Sequence, residues 1–361
     1  MEGKTTAFSD RMAMILNYGA LNLAMALGYR NRIFDVLDDL ESPVTADELA
    51  RLSGLDERYL REWLGVMVTG DIVEISSTPE GKTTYFLPPE HAALLTRRAG
   101  AANLGVYTQE IPLLTSCAME PVHKAFRTGE GVPFSRYPDF QAFMTELSNA
   151  KHRQVLIDRF LPSVDEGRLV ERLARGIRVC DLGCGEGVAL NLMARAFPES
   201  ECVGVDNHPK AIETARAGAR ELRLSNVEYR ILDAARIGET PELEHRFDYV
   251  FAFDAIHDQP RPLKALQGVR HMLAPGGLFS MIEIDARSDH ESNRDHPMGP
   301  FLYTVSLMHC MPVGLIDQGT GLGMMWGRER ADRMLRDAGF DSIEFLEMEQ
   351  DPFNLHYLCR A

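Results

Sequence analysis

The chain has 361 residues, with 45% hydrophobic and 25% charged side chains. That is the composition of a folded globular protein of two or three domains rather than a disordered one. Its formal net charge is −15, which disfavours a nucleic-acid partner and a polybasic membrane-surface role. No run of about 18 uninterrupted apolar residues occurs, so no membrane span is expected. MEGKTTAFSD lacks the basic-then-apolar pattern of a signal peptide. Six scattered cysteines without a CxxC pair read as free thiols in a reducing cytoplasm.

Residues 1–95 read as helices followed by a hairpin. Ala20 to Leu27 is an apolar helix with Gly28 as its stop, and Ile33, Phe34, Val36 and Leu37 begin another. Thr45 with Glu48 three positions on is a capping box. Ser53-Gly54 is a turn, and Asp56 caps a helix over Glu57 to Val68 with Leu60, Trp63, Leu64 and Met67 on one face. Ile72 to Ile75 and Thr84 to Leu87 are strands around the turn Pro79-Glu80-Gly81. Helix, helix–turn–helix and hairpin predict a winged-helix domain. It carries eight Lys/Arg against fifteen Asp/Glu, a net of −7. A recognition helix needs a basic surround to enter DNA, so dimerisation is the better reading, with Ala20 to Leu27 covered by a partner copy. Residues 96–170 form a helical bridge with loop signals at Gly129 to Pro133 and at Tyr137-Pro138.

From residue 171 to 361 strands and helices alternate. Strands are expected at Ile177 to Cys180, Glu201 to Val205, Val227 to Ile231, Phe247 to Phe253, Gly277 to Ile284, Ile343 to Met348 and Leu355 to Leu358. Helices fall between them, predicting an α/β, doubly wound, mostly parallel seven-stranded Rossmann-like sheet. The last two strands are joined by a link too short for a crossover helix, so the last strand is antiparallel.

Asp181-Leu-Gly183-Cys184-Gly185-Glu-Gly187 follows the first of these strands and opens a helix. Glycines there bring backbone amides to a ligand, and Asp206, ending the next strand, suits the two hydroxyls of a ribose. The dinucleotide fingerprint G-x-G-x-x-G would need glycine where Val188 stands. Asp181 at the turn repels a pyrophosphate but suits an ammonium. The ligand is thus a nucleoside with a cationic amino-acid tail, which describes S-adenosylmethionine.

At this point the chain resembles the class I S-adenosylmethionine-dependent methyltransferases. The resemblance rests on DLGCGEG, Val205-Asp206, Leu232-Asp233-Ala234, Phe253-Asp254 and Leu273-Ala-Pro-Gly-Gly277, in order at strand ends. It implies that Asp181, Gly183, Cys184 and Gly185 lie along the amino-acid part of S-adenosyl-L-methionine. Asp206 and Asn207 would hold the ribose, Asp233 and Ala234 flank the adenine, and Asp254 completes the cofactor set. The N-terminal winged helix narrows the likeness to caffeate- and hydroxyindole-type O-methyltransferases. Closer still are bacterial and invertebrate winged-helix methyltransferase-domain proteins, through Tyr59 to Leu64, Ala255-Ile-His-Asp-Gln259 and Gly323-Met-Met-Trp-Gly327. In the caffeate type, the His-Asp pair matching His257-Asp258 provides a general base, oriented by two acids that Glu283 and Glu329 match by position. Gln259-Pro260 replaces that family's Trp-Ser. An imidazole suits proton removal from a hydroxyl. The alternative is that His257 only packs over the cofactor or orients substrate.

The segment from Arg287 to Trp326 has the place and the methionine content of an acceptor lid, with His309-Cys310 inside it. Phe134 and Tyr137 are candidates to cover the cofactor's methyl side. No metal is expected, because no second ligand pair at zinc spacing accompanies His309-Cys310. The expected activity is methyl transfer to a small-molecule hydroxyl, with thiol or amine acceptors as options. The alternative is a cofactor-sensing winged-helix transcription regulator.

Overall fold

A computed structural model describes residues 2–40, 42–349 and 351–361, so Gln350 of the closing link lies outside the described residues. The chain divides into two compact units, 1–113 and 114–361.

The first unit opens on α1, Glu2–Arg30. Gly28 does not stop it. A Cβ at Gly28 would stand 2.5 Å from the Trp63 ring, and the Trp63 indole N–H donates to the Ala24 carbonyl at 2.8 Å. The glycine therefore serves close approach of Trp63 to the helix, and the chain turns only at Arg32, with φ 60°. Three helices follow, α2 (Ile33–Asp38), α3 (Ala46–Ser53) and α4 (Glu57–Thr69). The Thr45–Glu48 capping box is present on α3, and Asp56 caps α4 through the amides of Arg58 and Tyr59. Leu60, Trp63, Leu64 and Met67 of α4 pack with Ile33, Phe34, Leu37 and Leu49 into one core. β1 (Glu74–Ser77) and β2 (Thr83–Phe86) form the wing, one or two residues displaced from the expected hairpin. α1 leaves Phe8, Ile15, Leu16, Tyr18, Leu23 and Leu27 exposed. Its stretch Thr5–Arg30, with mean hydropathy 1.2, is long and apolar enough to cross a membrane, and 22% of its most apolar window is buried.

The second unit begins with irregular helices, among them Pro138–Val155. They lead to a seven-stranded sheet: β3 (Arg178–Leu182), β4 (Glu201–Asp206), β5 (Val227–Ile231), β6 (Phe247–Phe253), β7 (Leu273–Ile284), β8 (Ser342–Glu347) and β9 (Asn354–Arg360). Their order is β5-β4-β3-β6-β7-β9-β8. The first five are parallel, and β9 runs antiparallel to both β7 and β8. The strands are apolar on both faces because each face is covered: Val203, Val205, Val250 and Phe279 belong to one core, Val179, Tyr249, Phe251 and Ile282 to the other. Order reverses on either side of β3, which opens a crevice beyond the carboxyl ends of β3, β4 and β6. The segment after β7 is helical over Gly299–Val305, widens into a π-turn over Ser306–Cys310 and continues through Met311–Gly314. It lines a cavity of about 450 Å³ with Tyr303, Met311, Met325 and Trp326.

Candidate active site

The turn after β3 is built by positive φ. Gly183, Gly185 and Gly187 have φ of 76°, 52° and 72°. A Cβ at Gly183 would meet the Ala255 Cβ at 2.7 Å and one at Gly187 the Tyr229 hydroxyl at 2.5 Å, whereas Gly185 faces open space. The amides of Gly183 and Cys184 donate to the Val205 carbonyl, at 2.8 and 3.1 Å. Asp206 then accepts from the Gly185 amide at 2.9 Å through Oδ2 and from the His208 amide at 2.8 Å through Oδ1. Each carboxylate oxygen keeps a further lone pair for a ligand. Asn207 beside it is exposed.

Asp181 is buried, and burial together with the neighbouring Asp206 carboxylate pushes its pKa well above the usual range. Two carboxylates in one recess favour a cationic ligand group. Cys184 is buried beneath the turn, and burial raises its thiol pKa. Asp233 accepts from the Ala235 amide at 2.9 Å and caps a short 3₁₀ helix starting at the buried Ala234. The Leu232 amide ties this corner to the Asp206 carbonyl at 3.0 Å. Asp254, with φ 47°, ends β6 and accepts from Asn354 Nδ2 at 3.2 Å. The glycine turn, Asp206 and Asp233 thus meet at the carboxyl ends of β3, β4 and β5, whereas Asp254, bonded to Asn354 of β9, stands by His257 and Glu283.

The other wall holds His257. Its Nδ1 makes a short hydrogen bond to Glu283 Oε2, and its Nε2 lies 3.4 Å from Asp258 Oδ1. Glu283 is fully buried and accepts three more donors: the Ile256 amide at 3.1 Å, the His257 amide at 3.3 Å and the Trp326 indole N–H at 3.2 Å. Burial opposes charge on His257, but the Glu283 and Asp258 carboxylates outweigh it, and its pKa is raised well above the ordinary imidazole value. The potential metal ligands of His257, Asp258 and Cys310 lie within 4.8 Å of one another, as do those of Asp254, His257 and Glu283. Both groups share His257, whose Nδ1 is committed to the filled Glu283 carboxylate, so the arrangement reads as a hydrogen-bond network.

Glu329 is not part of that network. Its carboxylate accepts from the Arg287 guanidinium and from the Ser288 amide at 2.8 Å, and these bonds bring its pKa down to about 2 despite partial burial. The structure therefore corrects its expected role: Glu329 fastens the start of the segment after β7. The second contact to Glu283 comes from Trp326, whose indole nothing in the sequence singled out as a donor. Tyr137 is buried with its hydroxyl on the Met308 carbonyl at 2.9 Å. The ring of Phe134, 41% exposed, stands 6.1 Å from His208 and 6.2 Å from His309. Of the two, Phe134 is the one that bridges the crevice mouth.

Comparison with known proteins agrees with this layout. Residues 173–346 match a family described as methyltransferase domain, and residues 19–97 an Rv2258c-like winged HTH domain. A sterol 24-C-methyltransferase of Clavispora lusitaniae is 26% identical over 224 residues, 62% of this chain and 51% of that protein. A ubiquinone biosynthesis O-methyltransferase of Cereibacter sphaeroides is 35% identical over 105 residues, 29% of this chain and 40% of that one. The chain spans about half the length or less of these curated relatives. Human N-acetylserotonin methyltransferase, solved in complex with S-adenosylmethionine, shares the fold with a TM-score of 0.63 at 16% identity, covering 97% of both chains. Together these matches make residues 173–346 a methyltransferase domain and residues 19–97 an Rv2258c-like winged HTH domain, on a fold shared with a methyltransferase solved in complex with S-adenosylmethionine.

Proposed function

We propose that this protein transfers a methyl group from S-adenosyl-L-methionine to a small-molecule acceptor, with a hydroxyl favoured over a thiol or an amine. One observation carries the reading: the acidic, glycine-built crevice of Asp181 and Asp206 faces the same sheet edge as the His257–Glu283 pair. Asp206 and Asn207 would hold the ribose and Asp233 and Ala234 the adenine. Asp181, Gly183, Cys184, Gly185 and Asp254 would take the amino-acid end. The cofactor supplies a methyl carbon on a sulfonium, already activated for in-line displacement, so the protein's work is mainly positioning. In this reading His257 takes the acceptor's proton on Nε2. Glu283 holds the Nδ1 proton and stabilises the imidazolium that results. Because its carboxylate neighbours raise the imidazole, the base is free of its proton only on the alkaline side of the ordinary imidazole range. A screen of metabolites with methyl-labelled cofactor tests this: label in a small molecule is expected, and label only in protein or nucleic acid would refute it.

We further infer a homodimer formed through α1. Its exposed Ile15, Leu16, Leu23 and Leu27 call for a cover. A second copy of the chain provides such a cover. Nucleic acid is not the partner in this reading, because Arg58 and Arg61 of α4 are paired with Glu62 and Glu57. The six cysteines, all free thiols, support a cytoplasmic setting.

A further inference from the structure

Beside His257 the structure holds a histidine that the methyl-transfer scheme does not use. His309 is 7% exposed and sits in the π-turn Ser306–Cys310. Its ring is fixed edge-on against Tyr137 at 4.8 Å and tilted against Phe140 at 4.8 Å. Its Nδ1 lies 3.6 Å from the Cys310 sulfur. Its Nε2, though buried, has no hydrogen-bond partner, and neither does the buried Oδ1 of Asp258. Cys310 links the two, since its sulfur lies within 4.8 Å of both the His257 and the Asp258 ligand atoms.

Unpaired buried polar atoms are uncommon and costly. Two of them, joined through one cysteine and adjoining the proposed base, mark a place where a polar ligand completes the bonding. The type of atom missing follows from the thiol. Burial pushes the Cys310 pKa up to about 12, so the sulfur keeps its hydrogen, and Nδ1 of His309 at 3.6 Å is an acceptor within its reach. Burial likewise lowers the His309 pKa, against the pull of Asp258, so the ring is neutral. A neutral ring that accepts at Nδ1 carries its hydrogen on Nε2. In that tautomer the Nε2–H is a buried donor without an acceptor.

We propose that His309 is a specificity-determining residue, whose Nε2–H donates to a carbonyl or ring-nitrogen atom of the methyl acceptor lying beside the hydroxyl handled by His257 and Asp258. The acceptor class is a small molecule that offers a hydrogen-bond donor and a hydrogen-bond acceptor side by side. Tyr137 and Phe140 orient the imidazole, and Phe134 at the crevice mouth marks the way in. The inference rests on the methyl-transfer reading.

The test uses the full chain loaded with S-adenosylhomocysteine and two probes, phenol and 2′-hydroxyacetophenone, which adds the neighbouring carbonyl. Calorimetry should show the carbonyl-bearing probe binding about tenfold tighter to the wild type, the worth of one neutral hydrogen bond. His309→Phe should reduce the preference to near parity, and His309→Gln, which keeps an N–H at that reach, should restore part of it. Nitrogen-15 spectra of histidine-labelled protein should show the His309 proton on Nε2. A proton on Nδ1, absence of preference in the wild type, or a preference unchanged in His309→Phe would each overturn the proposal. Failure of S-adenosylhomocysteine to bind would instead remove the methyl-transfer reading beneath it.

Discussion

Replacing Glu283 with glutamine leaves the size of the side chain unchanged and alters only what it can bond. The carboxylate is fully buried and serves four donors: two backbone amides on Oε1, and the His257 ring and the Trp326 indole on Oε2. An amide has one oxygen. If that oxygen stays beneath the backbone amides of Ile256 and His257, the NH₂ group confronts two N–H donors. If it turns, two backbone donors are orphaned instead. Breaking a buried charged pair on one side costs about 3–5 kcal/mol, and for a unit of this size that lowers Tm by roughly 10 °C. The pH dependence carries the more specific signature. A raised histidine pKa means the pair contributes stability that is fully present below the ordinary imidazole value and is lost as pH rises through the folded value. The wild type should therefore lose Tm on the alkaline side. In Glu283→Gln burial becomes the dominant influence on His257 and its pKa falls, so the alkaline loss should disappear and destabilisation should move to acid pH. Proton NMR of the histidine C2–H resonances, followed against pH, reads this without any acceptor. A His257 resonance that titrates at the same or higher pH in the variant would refute the assignment of Glu283 as its stabilising partner.

Asp206→Ala removes the acceptor for the Gly185 and His208 amides and, with them, the two ribose contacts proposed for this carboxylate. At about 1.5–3 kcal/mol per charge-assisted bond, calorimetry should show a loss of S-adenosylmethionine affinity on the order of 10²–10⁴; unchanged affinity would exclude Asp206 from the site. His257→Gln should cost on the order of 10²–10⁴ in turnover with cofactor affinity retained, and near-normal turnover would move the acceptor from a hydroxyl to a thiol or an amine. The double change Leu16→Glu with Leu23→Glu should convert a dimer to a monomer in light scattering, and a wild type already monomeric at micromolar concentration would contradict the α1 interface. Thr45→Ala should destabilise the first unit by about 1 kcal/mol in urea titration through loss of the capping box.

Local chemistry explains which parts of the fold were legible in the sequence. The capping box at Thr45, the Asp56 cap and the buried face of α4 are short-range signals, and the structure shows each of them. Strands β3 to β7 are apolar runs punctuated by glycine and aspartate, and their order follows from alternation with helices. Gly28 misled because glycine has two uses, ending a helix and admitting a neighbour. Only the position of Trp63, thirty-five residues on, decides between them. The wing strands shifted because β1 is exposed at every position and gives no alternation, and the pairing of Glu74 with Phe86 fixes a register that sequence pattern does not.

The site divides along the same line. Asp181, Asp206, Asp233 and Asp254 were legible because each stands at the carboxyl end of a strand or directly after one, and a parallel sheet brings those ends together whatever the rest of the chain does. Glu283 shares that logic, as the penultimate residue of β7. Glu329 does not. It lies at the start of a helix after a long excursion, and its direction depends on where Arg287 and Ser288 leave the sheet. The same excursion ends at Trp326, two residues before that helix, and carries the indole to Glu283, where Glu329 was expected as the second acid orienting His257. An indole N–H serves that position with a firmer outcome than a second carboxylate would. A second buried acid on that side of the imidazole would repel the first, whereas the indole on Oε2 adds a bond to the carboxylate that holds His257 Nδ1. Trp326→Phe separates these roles: it removes the donor and keeps most of the packing. It should leave the His257 pKa raised, yet loosen the ring enough to reduce turnover. A variant with full turnover would show that Glu283 orients the imidazole without help.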